Sequence, residues 1–71
     1  MLEDAQRELA AVAEALESLP AKQRVVMVMK VLDGMTQTEI AEALGLSKGY
    51  VSKLLARALT HMKRLGLEVP A

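Results

Sequence analysis

Cysteine is absent from this chain, and so are tryptophan and phenylalanine. Without a thiol there is neither a disulfide nor a thiolate metal site, and the absence fits a reducing cytosol. Tyr50 is the sole aromatic. The apolar content rests on Leu, Val, Ala and Met, which suits helix-helix packing and argues against an all-β fold. No apolar run approaches the roughly 20 residues that cross a bilayer, and no signal-peptide core is present, so no membrane association is expected. His61 stands alone, and a metal site needs three or four ligands, so no metal is expected. Catalysis finds no support either. Glu39 and Glu42 are helix acids three apart, and Ser47 and Ser52 have no base near them except a distant His61. No Gly-rich loop has phosphate-cradling spacing. The reading is of a non-enzyme without a cofactor.

What is present fits one small domain over residues 1–71. A chain of this size buries only about 60% of its unfolded surface, so its stability is marginal. The net charge of zero hides an asymmetry. Glu3, Asp4, Glu8, Glu14 and Glu17 face only Arg7 before Ala21. Beyond it Lys22, Arg24, Lys30, Lys48, Lys53, Arg57, Lys63 and Arg64 outnumber Asp33, Glu39, Glu42 and Glu68. An acidic leader and a basic body point to a polyanion as partner of the body.

Apolar spacing predicts four helices, an all-α domain. Leu2, Ala5, Leu9, Val12, Ala13, Leu16 and Leu19 recur at helical intervals and give the first helix one apolar stripe. Pro20 ends it, because the residue before a proline resists helical geometry, and then suits the first position of a second helix. That second helix, Ala21 to Leu32, is apolar almost all round, through Val25, Val26, Val28, Met29, Val31 and Leu32. It is either the centre of the core or carries a second face for a partner. Its valines also suit a strand, but the Pro start and the Gly34 stop favour a helix.

Thr36 and Glu39 have the spacing of a capping box, and Met35 and Ile40 that of a hydrophobic staple, so a third helix starts here. Ile40, Ala41 and Leu44 face inward. Gly45 supplies a left-handed turn. Ser47 caps a fourth helix that runs to about Leu65 and stops at Gly66. Val51, Leu54, Leu55, Ala58, Met62 and Leu65 form its buried face. The other face holds Lys48, Gly49, Ser52, Lys53, Ala56, Arg57, Thr60, Lys63 and Arg64 without an acid. Like charges on one face repel by a few tenths of a kcal/mol per pair, and a phosphate backbone relieves that repulsion. Two helices about a Gly turn, the second of them basic, make a helix-turn-helix over about 36–65 of the kind that enters a DNA major groove. Tyr50 either closes the core near the turn or stacks on the sugar-phosphate backbone, and core packing is the preferred reading. Met27, Met29, Met35 and Met62 read as core fillers. Met27 and Val31, if exposed, make an apolar patch for a protein partner. The end of the chain, Leu67 to Ala71, reads as a frayed tail.

These residues resemble region 4 of bacterial RNA polymerase sigma factors of the sigma-70 family. The resemblance runs from about Leu16 to Arg64. It is carried by Leu19-Pro20 with Arg24 downstream, Glu39-Ile40-Ala41, Leu44-Gly45-Leu46-Ser47, Val51 and Arg57-Ala58. It implies a four-helix domain that recognises the −35 promoter element and docks on the β-flap of RNA polymerase core, in the cytoplasm at the nucleoid. By position, Lys48, Gly49 and Lys53 are expected nearest base edges. Ser52, Arg57, Thr36 and Gln37 are expected near phosphates, with Ser52 and Tyr50 further candidates at base edges. Primary sigma factors carry a basic-acidic pair where Lys48 and Gly49 stand, so the chain is more similar to an alternative sigma factor of the extracytoplasmic-function type. Two other readings stay open. One is a protein-interaction module held by an anti-sigma factor or another polymerase-binding partner. The other is a dimeric LuxR-like regulator, which carries a similar helix-turn-helix.

Overall fold

The computed structural model describes residues 2–67, and within them it is helical with no strand. Four helices follow in order: α1 (Leu2–Ser18), α2 (Ala21–Val31), α3 (Gln37–Leu44) and α4 (Lys48–Arg64). The all-α, four-helix expectation holds, and each boundary falls within a residue or two of its sequence signal.

The core lies where α2, α3 and α4 pack on one another, each of them against the other two. α2 lies mainly against α4, α3 closes on α4, and α1 packs on α2, with its buried and half-buried residues confined to its second half. Val26 and Met27 of α2, Ile40 and Ala41 of α3, and Val51, Leu54, Leu55, Ala58 and Met62 of α4 are buried together, with Ala15 and Leu19 from the end of α1. Every one of these side chains is apolar, so burial removes them from water without stranding a polar group.

The first stripe is only half used. Ala15 is the buried residue of α1, while Leu2 is 76% and Leu9 69% exposed. A helix of 17 residues is about 25 Å long, and its residues 2–10 are all exposed. The first half of α1 therefore projects beyond the core. The radius of gyration, 12.5 Å, exceeds the about 11 Å of a compact chain of this length for the same reason.

Four further expectations are corrected. Pro20 is the residue before the first helical position and not in it, with an extended ψ of 148°. Met27 is 1% exposed and packs in the core, so the patch of Met27 and Val31 does not exist. The exposed large apolar residues here are Val25 on the same helix and Leu32 at its C-cap. Leu44 is more than a third exposed, because α3 ends there and the chain turns away. Leu65 is 52% exposed. It lies past the last helical residue of α4, where Gly66 takes a φ of +79° and the line of buried positions stops.

That end is a hydrogen-bonded closure. Leu67 N–H donates to the Met62 carbonyl and Gly66 N–H to the Lys63 carbonyl, at 3.1 and 2.9 Å. The crossed pair caps the last carbonyls of α4, and only a left-handed residue at Gly66 permits it. Leu67 thereby packs back on the core, so the frayed tail does not begin there. Its remainder, 68–71, lies outside the described residues.

Candidate nucleic-acid interface

The turn between α3 and α4 is specified at both ends. Gly45, at φ +66°, lets Leu46 N–H donate to the Ala41 carbonyl at 2.9 Å. Ser47 then accepts from Tyr50 N–H at 3.1 Å and opens α4. At the other end of α3 the capping box is complete. Thr36 N–H donates to Glu39 Oε1 at 3.0 Å, and Glu39 N–H donates to Thr36 Oγ1 at 3.1 Å. The Thr36 backbone bond, and then its side chain, hold the Glu39 carboxyl below its ordinary pKa of 4.5.

With both caps in place the expected site residues take definite positions. Lys48, Gly49, Lys53 and Arg57 are exposed along α4, and Ala56 is exposed among them. Thr36 is exposed and Gln37 half-buried at the start of α3. Ser52 joins the two groups, since its Oγ donates to Gln37 Oε1 at 2.8 Å. This bond spends the Ser52 hydroxyl proton and leaves the Gln37 amide N–H groups as donors. It also fixes α4 against α3 at the point where both meet the exposed face.

Tyr50 is half-buried against the core, as its preferred reading has it. The Lys22 ammonium lies 5.7 Å from its ring centroid. A cation over a ring face is worth about 0.5–1 kcal/mol at an exposed site, and here it ties the start of α2 to the first turn of α4. Two other links escaped the sequence reading. Lys22 and Tyr50 are far apart in the chain, and so are Ser18 and His61, whose Oγ and Nε2 lie 3.0 Å apart. No spacing rule points to such pairs. Ala56 offers no functional group for a sequence to flag. Among the described residues no group of three or more His, Cys, Asp or Glu has metal-holding proximity, and no helix is long and apolar enough to cross a membrane.

A rigid cap-turn-cap unit that holds an acid-free basic helix outward defines the class: a helix-turn-helix domain of the DNA-binding kind. Within it, the chain belongs to the sigma-70 region 4 family, whose model matches residues 9–62. An RNA polymerase sigma factor, SigF of Mycobacterium tuberculosis, is 48% identical over 48 residues, which is 68% of this chain and 18% of the relative. The RNA polymerase sigma-G factor of Clostridium acetobutylicum is 35% identical over 63 residues, 89% of this chain and 24% of the relative. The ECF RNA polymerase sigma factor SigD of Mycobacterium tuberculosis is 42% identical over 50 residues, 70% of this chain and 24% of the relative. The chain thus spans a quarter or less of the length of these curated relatives.

Proposed function

We propose that this domain binds double-stranded promoter DNA at the −35 element as region 4 of an alternative sigma factor, and so directs RNA polymerase in transcription initiation. One observation carries the reading. The Ser47 cap and the Gln37–Ser52 bond hold Lys48, Gly49, Lys53 and Arg57 on one exposed run of a helix that contains no acid. Lys48 and Lys53 face base edges from the first two turns. Arg57, Thr36 and the Gln37 amide take backbone phosphates, which set register without reading sequence. The function is recognition and not catalysis, exercised in the cytoplasm where the nucleoid lies. RNA polymerase core is the protein partner, engaged through its β-flap by the first two helices. The exposed Leu2 and Leu9 of α1 supply apolar surface there.

The test is a salt-dependent binding titration. Lys53→Ala and Arg57→Ala each weaken duplex binding, and each lowers the slope of log affinity against log salt by about 0.9. Equal affinity and slope in parent and both variants defeat the reading.

A further inference from the structure

The recognition face does not account for every basic group on α4. Arg57, His61 and Arg64 follow at intervals of four and three, so they share one flank of the helix. That flank borders a cleft of 570 Å³ against the end of α1 and the start of α2, where Ser18, Pro20, Gln23, Ala56 and Thr60 complete the wall. Among the described residues no acid lines this cleft. None lies in α4 or in the first turn of α2.

The hydrogen bonds within the cleft sort its donors. The Ser18 hydroxyl donates to the Ala15 carbonyl at 2.6 Å, so its oxygen is left to accept from His61 Nε2–H at 3.0 Å. The imidazole is thereby oriented by a hydroxyl and not by a carboxylate. The Thr60 hydroxyl donates to the Ala56 carbonyl at 3.0 Å. The groups that remain to receive an anion are the two guanidiniums and the Gln23 amide.

We propose that this cleft seats a DNA backbone phosphate beyond the segment read by the first turns of α4. Arg64 and Arg57 supply the charge and Gln23 a neutral donor, while the His61 ring is held aside on the Ser18 hydroxyl. The proposal rests on the DNA-binding reading above. Residues 57 to 64 cover about 10 Å of helix, so the seat lies farther along α4 than Lys48 and Lys53. DNA is favoured over an acidic peptide because the cleft continues the recognition face through Arg57, which belongs to both. Guanidinium forks also match phosphate oxygens in pairs.

The experiment is fluorescence anisotropy of the whole chain with a labelled random-sequence duplex of about 20 base pairs, between about 50 and 200 mM salt. Arg64→Ala lowers affinity severalfold and the salt slope by about 0.9. Arg64→Lys restores the slope while affinity stays below the parent's. Gln23→Ala lowers affinity and leaves the slope unchanged, because it removes no charge. Lys30→Ala, an equal charge change at the far end of α2, alters neither. If Lys53→Ala lowers the slope but Arg64→Ala does not, the cleft proposal is overturned and the DNA reading survives. If no duplex binds, or Lys53→Ala also changes nothing, both fall. A third result also overturns the proposal: NMR shifts at Arg64 and His61 with a poly-glutamate peptide and none with the duplex.

Discussion

A methyl group added at Gly49 meets nothing within 4 Å, and no positive φ holds the residue to glycine. Its backbone freedom is therefore a cost to the first turn of α4 without a compensating contact in the fold. Gly49→Ala is expected to stabilise the domain by about 0.5 kcal/mol, read as a rise of a few degrees in Tm. A fall in Tm would contradict the open geometry. Thr36 and Glu39 behave in the opposite way, since each completes the other's bond. Thr36→Ala removes the hydroxyl that accepts from Glu39 N–H and is expected to cost about 1 kcal/mol, measured by urea unfolding. The Glu39 carboxyl is held below 4.5 in the folded chain by the Thr36 N–H and hydroxyl. Its contribution is complete above that ordinary value and is lost as pH falls through the lower, folded one. Glu39→Gln should flatten the part of the stability-pH curve below 4.5. An unchanged acid limb would show that the Glu39 charge adds nothing to stability.

Among the elements, α3 and α4 were the most legible, because their ends are written in local chemistry. Thr36, Glu39, Gly45 and Ser47 need only their near neighbours to act, and each does what its type and spacing imply. Helix α1 was legible as a helix and not as a packed one. Its stripe continues to Leu2, but the surface that would cover Leu2 and Leu9 is not within reach of a helix that crosses at its last turns. Deleting residues 1–10, all exposed or outside the described chain, is therefore expected to change unfolding free energy by no more than about 0.5 kcal/mol. A loss of several kcal/mol in a denaturant titration would place α1 in the core after all. The Gln37–Ser52 bond shows the reverse limit. Both residues were expected near phosphates, and only the packing of α3 on α4 brings their side chains together.

At the scale of the whole molecule, one small core draws residues from all four helices. Ile40 is fully buried where α3 meets that core. Truncating a buried isoleucine to alanine costs about 2–5 kcal/mol. A domain of this size has only about 5–15 kcal/mol in total, with small chains at the low end. Ile40→Ala should thus lose most of its helical circular dichroism cooperativity near room temperature. A variant that melts like the parent would mean that the α3–α4 seam is not where stability resides.

The sequence by itself determined the four helices, their caps, the basic face of α4 and the family resemblance that the residue 9–62 match bears out. Each of these depends on residue type and on spacings within a few turns. Tertiary structure alone decided which apolar positions are covered. It sent Met27 inward and Val25 outward on one helix that is apolar on nearly every side, and it left Leu65 and half of α1 in solvent. It also decided the long-range pairs, Lys22 over Tyr50 and Ser18 against His61, and with them the cleft beside Arg64. The reason is physical. A hydrophobic stripe states that a face prefers to leave water, but how much of it succeeds depends on the length of the neighbour it meets.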